Sequence, residues 1–134
     1  MRLALIALVL AACGGKQPAP KPAPLDPKGL AKLLDGDMAG LEDLAQRHRG
    51  DCTATTAALT QQVERMKQHQ AEVEQMSNDP VKMRELKSQL ATYAAATPAR
   101  NDRIAQALGA TYLTCEETAR YQLERTIAAI PTYD

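Results

Sequence analysis

The sequence predicts an all-α protein, a small antiparallel bundle of three to four helices that follows a proline-rich, disordered tether. The 134 residues include no Phe or Trp and only 4 Tyr, whereas the helix-forming residues Ala, Leu, Gln, Glu, Lys and Arg are abundant. Apolar residues recur at intervals of three and four, as they do on one face of a helix. A capping side chain also precedes a proline at Asp26-Pro27, Asp79-Pro80 and Thr97-Pro98, which is typical of helix starts.

The first helical segment is predicted to be interrupted. A short helical turn from Pro27 is expected to stop at Gly36, and Asp37 is expected to cap the next helix. The basic residues at 47–49 suit the negative end of that helix, and Gly50 is its predicted terminator. Asp51 then caps the following helix.

The remaining helices carry narrow apolar seams. The helix predicted over 52–77 places on one face Cys52, Thr56, Leu59, Val63, Met66, Gln70, Val73 and Ser77. A third helix follows from Pro80, with a seam of Val81, Leu86, Leu90 and Tyr93. After Pro98 a further seam, which ends before Pro131, comprises Ile104, Leu108, Tyr112, Cys115, Ala119, Leu123, Ile127 and Ile130.

The first twelve residues have the pattern of a cleaved export signal. Arg2 supplies a positive charge, and the block from Leu3 to Ala12 is apolar and uncharged. A membrane-spanning helix needs about 20 apolar residues, roughly twice the length of this block. Cleavage therefore explains the segment better than a permanent membrane anchor, which remains the alternative.

Leu10-Ala11-Ala12-Cys13 resembles the lipobox of bacterial lipoproteins. The resemblance implies that residues 1–12 are removed and that Cys13 becomes the lipidated N-terminus, carrying two or three acyl chains that attach it to membrane lipid. An ordinary secretory signal that contains a cysteine is the alternative. Because Gly14 is not the aspartate that often retains such proteins at the inner membrane, we expect an outer-membrane protein that faces the periplasm, with the inner membrane and the cell surface left open.

The predicted domain organisation has three parts. Residues 1–12 are the signal peptide, 13–26 are the lipidated cysteine with its linker, and 27–134 are the helical bundle domain. The linker alternates proline with small residues, which favours an extended spacer that reaches up to ~40 Å. A proline-rich recognition ligand is the other interpretation of this segment.

The sequence has 3 cysteines, an odd number for disulfide pairing. If Cys13 is acylated, the two that remain, Cys52 and Cys115, can pair with each other. An oxidising compartment favours a disulfide between them, and two buried free thiols are the alternative. Cysteine Cα atoms must come within roughly 7 Å, which a plain up-down-up bundle would not allow. The pairing therefore predicts one arm over residues 80–108, kinked at Pro98, and a helix break near Gly109. An unbroken helix through Gly109 with unpaired thiols remains the alternative.

No catalytic residue, cofactor or metal site is predicted, and we expect no enzyme. The sequence has no Gly-rich phosphate loop, no Gly-x-Ser-x-Gly and no Cys/His nucleophile arrangement. His48 and Cys52 have a zinc-like spacing, but a bridged Cys52 is no ligand. The 16 basic and 16 acidic residues balance, so no nucleic-acid partner is expected. Four methionines could suggest a soft-metal site, but packing in the core is the simpler explanation for Met38, Met66, Met76 and Met83.

The expected function is that of a non-enzymatic interaction or scaffolding module that binds another envelope protein. One further resemblance supports an alternative. Leu59-Thr60-Gln61-Gln62-Val63 and Leu113-Thr114-Cys115-Glu116-Glu117 resemble the paired Leu-Thr-x-x-Gln motifs of small periplasmic helical chaperones and metal-stress sensors of the Spy type, with the glutamine replaced in both copies. That resemblance implies a periplasmic chaperone or a metal-stress sensor.

Overall fold

The computed structural model describes residues 25–133, and all regular elements in that range are α-helices. The five helices are α1 (Pro27–Arg47), α2 (Cys52–Met76), α3 (Pro80–Ala96), α4 (Arg100–Tyr112) and α5 (Glu117–Ala128). The predicted all-α class is confirmed, but the described residues form five helices instead of three to four. The predicted signal peptide and Cys13 lie outside these residues. None of the described helices combines the length and the apolar character that crossing a membrane requires.

Aspartate side chains begin three of the helices. The Asp26 carboxylate accepts a hydrogen bond from the Gly29 N–H at 2.6 Å, and Asp51 and Asp79 cap α2 and α3 in the same way. The cap predicted at Thr97 is wrong, because α4 begins after Ala99 without a side-chain cap. The Thr97 hydroxyl instead donates to the carbonyl of Tyr93 at 3.0 Å and so belongs to the end of α3.

The break predicted at Gly36 is also wrong, since α1 is continuous from Pro27 to Arg47. A glycine inside a helix costs about 1 kcal/mol relative to alanine. Continuity keeps Leu34 and Leu41 on one buried face, and that burial outweighs the cost. Asp37 is therefore no helix cap but a buried residue in the middle of α1, only 7% exposed.

Helix α1 is the central element, because its buried face contributes to both hydrophobic clusters. The upper core joins α1 to α2, α4 and α5 and contains Leu41, Leu44, Ala45, Leu59, Val63, Ile104, Ala107, Leu108, Cys115 and Leu123. The lower core joins the start of α1 to the end of α2 and to α3 and contains Leu30, Ala31, Leu34, Met76 and Leu86. Helices α1, α3 and α4 thus ascend from the lower to the upper end, while α2 and α5 descend.

The α1–α2 turn and the α4–α5 turn meet at the upper end. Cys52 and Cys115 form a disulfide with a Cα–Cα distance of 5.4 Å, which fits the pairing expected from the sequence. Gly50, at the turn predicted to terminate the helix, has a φ of 84° and donates its N–H to the Thr111 hydroxyl at 3.0 Å. The Thr114 hydroxyl, which donates to the Thr111 carbonyl at 2.7 Å, also lies within 3.2 Å of the Gly50 carbonyl. These contacts hold the two turns together.

The helix break predicted near Gly109 lies four residues further along the chain. Helix α4 runs through Gly109 and ends at Tyr112, and α5 begins at Glu117. The unbroken helix given as the alternative is therefore wrong as well. The disulfide from Cys115 to Cys52 and the hydrogen-bond contact of Thr114 with Gly50 both lie at this break. These two contacts fix the position of the turn.

We expect the disulfide to contribute about 4 kcal/mol to the free energy of unfolding, because it closes a long loop in the unfolded chain. A Cys52→Ser, Cys115→Ser double variant should be less stable by that order in urea denaturation. A reducing agent should lower the Tm of the wild type and leave the Tm of the double variant unchanged. An equal Tm for wild type with and without reductant would show that the two thiols are not joined.

Candidate functional site

A buried polar cluster centres on Asp37. Its carboxylate is 2.6 Å from Nδ1 of His69, and the side chains of Asp37 and His69 are 8% and 25% exposed. The Tyr133 hydroxyl donates to the same carboxylate oxygen at 3.4 Å. Because α1, α2 and the C-terminal end each contribute one group, the cluster links three parts of the fold. A buried carboxylate needs such partners, since leaving it without them carries a high desolvation cost.

Gln62 extends the cluster along α2. Its side-chain amide donates to the Asp37 carbonyl at 2.9 Å and accepts from the Arg65 guanidinium at 2.6 Å. Gly40 makes this approach possible, since a Cβ at that position would lie 3.1 Å from the Gln62 amide nitrogen. The absence of a side chain at Gly40 therefore allows a close contact between α1 and α2.

The tail, defined as residues 129–133, passes beside this cluster. Ile130 packs against the upper core and Tyr133 packs against the lower core. Pro131 is buried, whereas Thr132 is exposed. Burial, together with the neighbouring Asp37 carboxylate, raises the pKa of the Tyr133 phenol above its ordinary value near 10.

A groove of about 490 Å³ opens between α1, the junction of α3 and α4, and the tail. Its apolar walls include Leu34, Met38, Leu90, Tyr93, Ile130 and Tyr133. Ala94 on α3 lies at the groove and is exposed. Concave surfaces that are mostly apolar with a few polar groups are typical of binding sites.

An ion-pair network closes one side of the groove. The Arg100 guanidinium contacts Asp35 at 2.6 Å and Glu42 at 3.5 Å, and Arg103 also pairs with Glu42. The hydrogen bond from Arg103 holds the pKa of the Glu42 carboxyl below its usual range. Two guanidinium groups face two carboxylates, so the network is balanced. The groove therefore favours an apolar occupant over an anion.

A second groove of about 410 Å³ lies between α2 and α5. The hydroxyls of Thr56, Thr60 and Thr126 in its wall donate to carbonyls of their own helices. These hydroxyls are thus already satisfied as donors. This groove offers less specific chemistry than the one beside the tail.

Of the described residues that the sequence singled out, the structure brings together only the two cysteines. Cys52 and Cys115 form the disulfide, and His48 stands at the end of α1. Within residues 25–133, no three His, Cys, Asp or Glu side chains group to hold a metal ion. Of the two Leu-Thr pairs, Leu59-Thr60 lies inside α2, whereas Leu113-Thr114 lies in the turn after α4.

Sequence reasoning missed the cluster of Asp37, His69 and Tyr133. Asp37 was expected to be a helix cap, and its spacing from Leu30, Leu34 and Leu41 was the available signal that it shares their buried face. Contacts between residues 32 and 96 positions apart, as from Asp37 to His69 and to Tyr133, leave no local pattern.

Comparisons with known proteins identify no relative. No protein-family model matches the sequence, and neither the curated proteins nor the solved structures yield a match.

Asp37→Ala should destabilise the protein by about 1–3 kcal/mol, because His69 and Tyr133 lose a buried hydrogen-bond partner. Asp43→Ala is the matched control on the same helix, since Asp43 is 61% exposed and pairs only with Arg47 at the surface. That variant should lose only about 0–1 kcal/mol. Urea denaturation measures both, and equal losses would contradict a structural role for the buried carboxylate.

The raised pKa of Tyr133 makes a prediction for alkaline pH. The folded state holds this proton more tightly than the unfolded chain, so its stabilising contribution is present below pH about 10 and is lost as the pH rises further. The tyrosinate absorbance of the wild type minus that of Tyr133→Phe reports the ionisation of Tyr133 alone. This difference should therefore develop at a higher pH in buffer, where the protein is folded, than in denaturing urea. Coincident curves would show that Tyr133 is not buried against Asp37.

Proposed function

We propose that this protein is a lipid-anchored protein of the bacterial cell envelope whose helical domain is a non-enzymatic interaction module. Lipid on Cys13 attaches it to the outer membrane, and the domain faces the periplasm. Two or more acyl chains give firm attachment, whereas a single chain anchors only marginally. The Pro/Ala-rich linker holds the domain away from the bilayer and lets it reach a partner.

The groove beside the tail is the observation that carries the interaction role. It offers apolar side chains such as Leu90 and Tyr93 to a partner, and its neighbouring charges are already balanced. Its volume of about 490 Å³ suits a few side chains of a bound segment. The partner we infer is another envelope protein that inserts an apolar segment.

The disulfide supports the assignment to an exported compartment. Disulfides persist in oxidising compartments such as the bacterial periplasm and are rare in the cytosol. Cys52 and Cys115 lie 63 residues apart in sequence and form such a bond.

The chaperone or metal-stress alternative has less support. Its motif resemblance relies on two equivalent Leu-Thr pairs, but Leu59 is fully buried in α2 while Leu113 is 78% exposed in a turn. The two pairs therefore do not form one repeated surface, and the interaction role is preferred.

The test places a photo-activated cross-linking residue at Ala94 in the full membrane-attached chain, with Ala95 as the matched control. Both alanines are exposed on α3, but only Ala94 lines the groove. We expect Ala94 to cross-link one envelope protein that Ala95 does not. Cys13→Ser should also move the protein out of the detergent phase. Identical products from both positions, or unchanged partitioning of the Cys13 variant, would contradict the proposal.

A further inference from the structure

The tail crosses from one core to the other. The Ala129 and Ile130 N–H groups still donate to carbonyls of α5, and the chain places Ile130 against the upper core and Tyr133 against the lower core. Pro131 is buried and Thr132 is exposed, and both line the groove. Three of these four residues thus lie against the bundle, and Thr132 is the exposed one.

Backbone hydrogen bonds hold the start of the tail, at Ala129 and Ile130, but not its end. No backbone hydrogen bond joins Thr132 or Tyr133 to residues 25–128. The Tyr133 hydroxyl has one proton to donate and lies 3.4 Å from each of two acceptors, the Asp37 carboxylate and the Met66 carbonyl. Hydrogen bonds of this length are weak, so burial of side chains is what chiefly holds residues 131–133 in place. Such a segment can detach at a cost far below that of global unfolding.

The seat itself has a definite chemistry. Asp37 and Met66 present only acceptor oxygens to Tyr133, so the seat favours a hydroxyl donor and disfavours an acidic group. A buried proline brings no N–H group that would need a partner, which suits the apolar wall around Pro131. The open groove continues beside Tyr93 and Ala94, so a longer segment than the tail can bury more apolar surface.

We propose that the tail is an intramolecular ligand in a peptide-binding site, and that the partner displaces it with a segment containing an apolar residue, Pro, any residue and Tyr. The proposal rests on the interaction role proposed above and specifies its occupant. A partner segment that also fills the open part of the groove makes contacts that the tail does not. Those additional contacts favour exchange.

The test titrates a fluorescent peptide with the sequence of residues 127–133 into the full chain. In the wild type the tail competes as a tethered ligand, so the free peptide binds weakly. We expect the peptide to bind Tyr133→Ala about tenfold more tightly than it binds the wild type. This ratio applies if the wild-type tail occupies the site about nine-tenths of the time, which leaves about one-tenth of the molecules free to bind. Tyr133→Phe, which keeps the ring, is a second variant with an intermediate gain. Thr132→Ala is the matched control and should bind as the wild type does.

Specificity is measured with a peptide in which Phe replaces the tyrosine. It should bind Tyr133→Ala several-fold more weakly, because the Asp37 and Met66 oxygens lose their donor. Equal binding of the labelled peptide to wild type and both Tyr133 variants, or no binding to any of them, would overturn the proposal. Concentration-dependent dimers of the wild type that Tyr133→Ala abolishes would assign the seat to the tail of a second copy and would overturn it too.

The cross-linking experiment separates this proposal from the interaction role. A partner captured from Ala94 together with a peptide that binds no variant would leave the interaction role standing and remove the tail-exchange proposal. Peptide binding without any partner captured from Ala94 would show that the seat accepts a peptide, but it would remove the interaction role and with it the exchange with a partner.

Discussion

The junction between the α1–α2 turn and the α4–α5 turn is the constraint on which the rest of the fold depends. A disulfide and the contacts of two threonine hydroxyls with Gly50 hold these turns together. The upper core therefore gathers four helices, although the chain has no Phe or Trp to fill it. The lower core has no such link, and Leu86 is the one fully buried residue that α3 contributes. Order should accordingly be greatest at the upper end and lowest in α3.

Local signals in the sequence were sufficient for the helical class and for much of the helix order. The caps at Asp26, Asp51 and Asp79 act within three residues, so sequence alone locates those helix starts. Gly36 and Gly109 misled the prediction because a glycine tolerated inside a helix has the same local signature as one that ends it. Packing decided between the two outcomes, and packing depends on residues distant in sequence.

The candidate site was harder to predict for the same reason. The disulfide partners could be inferred by counting cysteines, but Asp37, His69 and Tyr133 come from three separate segments. An aspartate on an apolar helix face was the one available sign of a buried polar contact. The groove next to Tyr133 depends on where the tail crosses the bundle, and no periodic pattern encodes that path. Tertiary contacts therefore define the part of the molecule proposed to bind a partner.

The bond between Cys52 and Cys115 also divides the chain into a covalent ring and two arms. Helices α2, α3 and α4 belong to the ring, whereas α1 and α5 lie outside it. A protease that cuts once between α2 and α3 would open the ring without releasing a fragment. A mechanical pull on the segment before Pro27 would load α1 directly and leave the ring intact. Helix α1, which contributes to both cores but lies outside the ring, is thus the helix that tension would detach first.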